Sequence, residues 1–251
     1  MTRIKSLFTE IKILFRSIPS LITALFVTAI VAMNLLANKS IVNTEWLALD
    51  CGILFSWLVF LLMDVVTKRF GVRAANILSI AALVVNLFFA AFFIAMSYIP
   101  GSWAQAYMAD GTINAAVNGA LDGTFRSAWY VILGSSVAFA ASAVTNNFLN
   151  AFFGKLLKGR GFLAFSVSCY ASTLIAQFLD NLLFAFIVSY RFFGWTPLMC
   201  VMCAVTGAVA ELLFEIVFSP VGYRVVNRMK AEGVGREYFE YLEAKKEGVN
   251  V

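Results

Sequence analysis

The sequence predicts an all-α fold: a polytopic membrane bundle of six transmembrane helices with both termini cytoplasmic. Three observations predict it. Of 251 residues, 61% are hydrophobic and only 13% are charged, about half the charged share of a soluble domain. Apolar runs recur at 20–38, 46–63, 74–98, 127–153, 162–189 and 195–218. Each is long enough for a hydrocarbon core of about 30 Å at about 1.5 Å per residue. Finally, sixteen of the 19 basic residues fall in segments 1–19, 64–73, 154–161 and the tail, leaving only Lys39, Arg126 and Arg191 on the other side. Basic residues favour the cytoplasmic side of membrane spans, so this split fixes the orientation.

The same composition excludes several function classes. Histidine is absent, which removes His-based acid–base catalysis, Ser-His-Asp and Cys-His sites, and His metal ligands. The net charge of +5 reads as span-flanking charge rather than a nucleic-acid surface. Of the four cysteines, Cys200 and Cys203 form a lone C-x-x-C inside an apolar run. Without a second pair it predicts packing residues and no metal site. No nucleotide-binding signature is present, so the chain does not hydrolyse ATP itself, and no cofactor is expected.

The elements follow in order. Segment 1–19 is a cytoplasmic leader whose Ile4, Leu7, Phe8, Ile11, Ile13, Leu14 and Phe15 predict an amphipathic helix at the membrane interface. The first span lacks a small-residue cleavage site and reads as uncleaved. It closes on Asn34, Asn38 and Lys39. The second begins near Asp50 and ends at Asp64; the third carries Asn76 and Asn86. The one substantial outer connection, 99–126, is either a cap over the outer opening or a variable linker. The fourth span carries Ser135, Ser136, Ser142, Thr145, Asn146, Asn147 and Asn150. The fifth holds Ser172, Thr173, Gln177, Asp180 and Asn181, and the sixth Thr206, Glu211 and Glu215. The transport domain thus covers 20–219. A charged tail, 220–251, begins as a helical extension interrupted at Gly233 and Gly235.

Polar groups in spans are expensive unless paired or functional. Asp180 lies well inside the fifth span, and Glu211 and Glu215, four apart, share a helix face. On this reading no Lys or Arg lies inside a span, so these acids are protonated, face water, or await a cationic or donor-rich ligand. The candidate substrate-binding or proton-coupling set is Asp180, Gln177, Glu211, Glu215, Asp64, Asn34, Asn146, Asn147 and Asn150. The bland alternative for the Asn cluster is interhelical hydrogen bonding. Asp50 and Asp64 are expected near the interfaces, where solvation is cheap. Small residues such as Ala140, Ala143, Gly207 and Ala208 allow close helix packing within one chain or between copies, so a homo-oligomer stays open.

Four stretches carry a family resemblance: Asn34-Leu-Leu-Ala-Asn38-Lys39, the run from Ile53 through Asp64-Val-Val-Thr67 to Gly71, Ser172-Thr173 through Gln177 to Asp180, and Phe218-Ser-Pro-Val-Gly-Tyr223. Together, over about 20–230, the chain resembles the VUT family of queuosine precursor transporters. The resemblance implies six spans in the cytoplasmic membrane. It also implies import of 7-deazaguanine bases (the cyano base, the aminomethyl base or queuine) that feed tRNA wobble modification. For such a ligand, Asp180 or Glu211 would accept the ring N–H and exocyclic amine as a bidentate pair. Gln177 and the Asn cluster would meet the carbonyl and ring nitrogens, and Trp57 or Phe184 would stack on the base. The chain departs from the family pattern at Lys68 and Asn181, lacks an Arg near Val131, and carries Glu211 near the place of a last-span Lys. The result is a more negative cavity that favours the cationic aminomethyl base. Two rival readings remain at this stage: a substrate-capture subunit of an ATP-driven vitamin importer, and an intramembrane aspartyl enzyme using Asp64 and Asp180.

Overall fold

The structure, a computed structural model, describes residues 2–103, 111–127, 129–157 and 161–247. Lys158 and Arg160, counted above among the cytoplasmic basic residues, and part of the outer connection lie outside them. The described chain is overwhelmingly helical. Its elements are α1 (Thr2–Ser17), α2 (Ser20–Leu36), β1 (Ser40–Asn43), β2 (Ala48–Asp50), α3 (Ile53–Phe70), α4 (Val72–Met96), α5 (Gly111–Ser127), α6 (Trp129–Leu156), α7 (Phe162–Phe184), α8 (Tyr190–Phe192), α9 (Pro197–Ala231) and α10 (Arg236–Lys246). A single π-helical stretch, Ala185–Ser189, joins α7 to α8.

By length and composition, four helical stretches are suited to crossing a membrane, or up to five if the bent pair α1–α2 counts as one. The four are α4, the α5–α6 stretch, α7 with its extension to Phe192, and α9. The other two expected spans are present as helices but are weaker by these measures: α2 has 17 residues, and α3 carries Asp64, Lys68 and Arg69.

Pro19 separates α1 from α2. Proline disfavours helix in the residue before it, and the two helices meet at 104°. The leader therefore turns away from the bundle axis, as a helix lying along a membrane surface does. It is not free there. Tyr241 on α10 donates to the Ser6 carbonyl at 3.0 Å. Fully buried Glu10 takes a pair of hydrogen bonds from Arg73 and one from Lys245 at 2.7 Å.

The second span differs from the expected 46–63. Residues 40–50 form a two-stranded antiparallel hairpin, closed by a turn in which the Leu47 N–H donates to Thr44 Oγ1 at 3.1 Å. Asp50 then accepts the Gly52 N–H at 2.7 Å. Helix α3 begins only at Ile53 and continues past Asp64 to Phe70. Gly71 stops it, with φ at +92°, a conformation open to glycine at little cost. Lys68 and Arg69 lie in the last turn of the helix.

The outer connection contains α5. Trp103 pins it: its backbone N–H donates to Asn118, its indole donates to Asp122 at 3.0 Å, and its ring stacks on Phe125. The last apolar run ends at 218, and the expected helical extension follows it: α9 runs unbroken through Pro220 to Ala231, about 52 Å at the helical rise. Gly233 and Gly235, at φ +67° and +88°, break the chain before α10. Gly235 also lies against the Phe70 ring, where a Cβ would collide.

Helices α3, α6, α7 and α9 form the centre, α2 packs on α3 and α4, and α4 on α6. Phe26, Phe60, Met63, Leu78, Phe139 and Val226 fill the apolar core. Apolar side chains also point outward, as at Val84, Phe88 and Phe92 on α4 and Val209, Leu213 and Val217 on α9. Many polar groups point inward, the arrangement suited to lipid surroundings.

Candidate functional site

Two openings lie at opposite ends of the bundle. The first is formed by the C-terminal ends of α2 and α7 and the N-terminal ends of α3, α6 and α9, with β2 at its rim. It holds about 500 Å³ of space between atoms, open solvent included, and Asn34, Asp50, Ser56, Ser135, Asp180, Asn181, Phe184, Cys203 and Glu211 help line it. The second is wider, about 1,210 Å³, and lies among the other ends of α3, α6, α7 and α9, with Lys68, Lys155 and Lys230 on its wall.

The first cavity gathers three carboxylates and, among its lining residues, no basic group. Each acid is held by a neighbour. Ser142 on α6 donates to Asp180 at 2.7 Å, Ser56 on α3 donates to Glu211, and the Gly52 N–H holds Asp50. The second Glu211 oxygen and the Asn181 amide nitrogen are buried without a hydrogen-bond partner among the described residues. Ser135 donates to Asn34, whose own amide donates to the Ile30 carbonyl at 2.9 Å. The wall therefore offers fixed carboxylate acceptors, with the Asn181 amide close to Glu211. It suits a ligand rich in N–H groups.

Gly207 makes room for this arrangement. A Cβ there would lie 2.6 Å from Asn181 Nδ2, so a side chain on α9 would push Asn181 from its place. Asn181 was not among the candidates read from the sequence. The available signal was Gly207, four residues before Glu211 and hence on its face.

A second polar cluster lies one turn deeper. Asn146 on α6 donates to Asp64 at 2.8 Å. Asn147 accepts from Thr67 at 3.0 Å and donates to Asn76 at 2.7 Å. Asn150 donates to the Cys169 sulfur at 3.4 Å. Glu215 completes the cluster from α9: one ligating atom each from Asp64, Cys169 and Glu215 lie within 4.8 Å of one another. Asp64 is fully buried within the protein. The carboxylate set beside it is Glu215, whereas Asp180 is engaged with Ser142 at the first cavity.

The candidate residues therefore separate into two groups. Asp180, Glu211, Asn34 and Phe184 line the first cavity. Asp64, Glu215, Asn146, Asn147 and Asn150 form the deeper cluster. Gln177 is fully buried on α7 between the two, with both amide atoms unpartnered among the described residues. Trp57 belongs to neither group. It stacks on Phe218 and Phe214 of α9 at 4.4 and 5.7 Å, and its indole donates to the Leu54 carbonyl at 2.9 Å. Cys200 and Cys203 are buried free thiols; Cys200 donates to the Ala185 carbonyl in the π-helical stretch at 3.5 Å, and Cys203 lines the cavity.

Comparison with known proteins gives one match. No curated protein and no solved structure matches the chain. The sequence model of the family described as "Putative vitamin uptake transporter" matches residues 50–225, which hold four of the five helices that wall the cavity. With the match spanning most of its length, the chain belongs to this vitamin uptake transporter family.

Proposed function

We propose that this chain imports a 7-deazaguanine precursor of queuosine across the cytoplasmic membrane, with the outer cavity as its binding site. Membership of a transporter family and several apolar helices support a multi-pass membrane protein that binds a small molecule and argue against an enzyme. The proposed topology has six spans, formed by α2, α3, α4, α6, α7 and α9, with α1 and α10 on the cytoplasmic side. The basic residues support it. Arg73, Lys155, Arg228 and Lys230 cluster toward the α1–α10 end, and Lys39, Arg126 and Arg191 toward the other.

One observation carries the substrate reading: Asp50, Asp180 and Glu211 converge on one cavity with no basic residue in its lining. A guanine-like edge presents a ring N–H and an exocyclic amine side by side. The free oxygen of Glu211 or the open side of Asp180 accepts such donors, and each hydrogen bond to a charged group is worth about 1.5–3 kcal/mol. The Asn181 amide supplies a donor for the carbonyl, and Phe184 a face for stacking. The remaining negative charge favours the aminomethyl base, whose ammonium offsets it.

The test is queuosine content of tRNA in cells unable to make the precursors, each supplied in turn with and without this chain. Rescue is expected at the lowest concentration for the aminomethyl base. No rescue by any of the three, with the protein shown to be in the membrane, sinks the reading. Rescue that requires a co-purifying ATPase identifies the chain as the capture subunit of an ATP-driven importer instead.

A further inference from the structure

The deeper cluster is short of positive charge. Asp64, Cys169 and Glu215 are all fully buried, and their ligating atoms lie within 4.8 Å of one another. Asp64 receives a hydrogen bond from Asn146, with Cys169 and Asn150 also close to it. Its second oxygen, both oxygens of Glu215 and the carbonyl oxygens of Asn146 and Asn150 make no further well-formed hydrogen bond among the described residues, and the neighbours of Glu215 are Thr173 and Asp64 itself. These oxygens are all acceptors. A buried acceptor without a donor costs about 1–3 kcal/mol, and two neighbouring buried carboxylates do not both stay ionised without a compensating charge.

The charged and titratable groups around the pair are few. From α3 comes Lys68, one turn beyond Asp64; from α7 the Cys169 thiol; from α9 Glu215 itself, with Glu211 one turn toward the cavity and Lys230 near Lys68 at the far end. Helix α6 contributes only the amides of Asn146, Asn147 and Asn150, and α4 contributes Asn76. The Lys68 ammonium is already drawn to Ser168 at 2.5 Å and to the Asn150 carbonyl at 3.4 Å. One lysine offsets one carboxylate, and the other lacks a counter-charge.

We propose that the Asp64–Glu215 pair is a coupling-ion site that takes up one positive charge, a proton or a sodium ion. The site is separate from the substrate cavity, since none of Asp64, Cys169 and Glu215 lines that cavity. It is linked to the cavity through α9, where Glu215 and Glu211 are four residues apart on one face. Its other neighbours, Lys68 and Asn150, line the opposite opening. The pair thus sits between the two ends of the polar path, where an ion taken from one side is delivered to the other. This inference rests on the transport reading above.

The test uses the full chain in liposomes on a solid-supported membrane, with jumps in pH or in sodium and no substrate present. The expected result is a transient charge displacement with one of the two ions, which names it. The displacement should be lost in both D64N and E215Q. In parallel, uptake of the aminomethyl base should be stimulated by an inward gradient of that ion in the wild type and by neither gradient in the variants. Retained cavity binding of the base by the variants shows that they are folded. No displacement with either ion in the wild type, or an undiminished one in both variants, overturns the proposal. So does a tightly held transition metal found by mass spectrometry of the purified protein. Displacement currents without any uptake or binding of the precursors leave the ion site standing and remove the substrate reading instead.

Discussion

Ser142 on α6 and Asp180 on α7 are joined by a 2.7 Å hydrogen bond that points the carboxylate of α7 across the mouth of the cavity. The bond crosses one of the bundle's closest helix pairs, so the acid is held by the scaffold rather than by a loop. Replacing Asp180 by Asn should lower precursor affinity by about tenfold or more, the loss of one or two charge-assisted bonds. Ser142→Ala, which only frees the acid, should cost about threefold to tenfold. Uptake at matched membrane levels measures both, and an unchanged D180N would remove Asp180 from the site.

Gly207 should act only through Asn181. Gly207→Ala places a Cβ against the Asn181 amide, and the far end of that side chain moves easily. Affinity should fall about as much in G207A as in N181A, with little change in melting temperature. The double variant should be no worse than N181A alone, because both remove the same contact. Additive losses would show that Gly207 serves something else.

Asn147 is expected to be structural, despite its place among the candidates. Both ends of its amide are used, one by Thr67 and the other by Asn76. Asn147→Ala should destabilise the protein by about 0.6 kcal/mol for each bond lost, the average between membrane helices, and by at most about 1.7. Substrate affinity in the folded fraction should stay unchanged. A large affinity loss without a stability change would reverse this assignment.

Glu10 should give the fold an acid-sensitive clasp. Burial pushes its carboxyl up, but hydrogen bonds from Arg73 and Lys245, together with their charges, outweigh this and leave it below the ordinary carboxylate range. A carboxyl lowered in the folded state stabilises it fully above that range, and the contribution is lost as pH falls through the folded value. Thermal stability in detergent should therefore decline on acidification in the wild type, and decline less in E10Q, which should already be weaker at neutral pH. Parallel curves for the two proteins would exclude the clasp.

Cys51 offers a test of orientation. It is half-buried between Asp50 and Gly52, both of which line the first cavity. A membrane-impermeant maleimide should label it in intact cells, and saturating precursor should slow the reaction. Labelling only after lysis would invert the proposed topology.

The helices were legible in the sequence because hydropathy reports what faces lipid, and most of their outer faces do. Where polar residues pair across helices, hydropathy misleads. It ended the second span at 63, yet Asp64, Thr67 and Lys68 each hydrogen-bond to α6 or α7, and α3 runs on to Phe70. Conversely, the hairpin at 40–50 was hidden inside and beside an apolar run, because Leu47 and Leu49 look the same in a strand and in a helix. The carboxylates of α7 and α9 were visible as costly groups in apolar surroundings. Their division into two clusters was not, since it depends on which faces of five helices meet. Trp57 shows the limit for aromatic residues: its composition suited stacking on a ligand, but its direction sends it to Phe214 and Phe218.

The contact between α1 and α10 has a consequence for biosynthesis. Ser6 and Tyr241 are 235 positions apart, so α1 leaves the ribosome long before the helix it docks on. At about 5–20 residues per second, α1 waits on the order of 10–50 s on the membrane surface before its partner exists. During that time Glu10 lacks Lys245, although Arg73 arrives much earlier. Its amphipathic character, which lets it rest on lipid in the interval, is what makes such a late closure workable. A chain truncated before α10 should insert its spans and yet leave its leader unfastened.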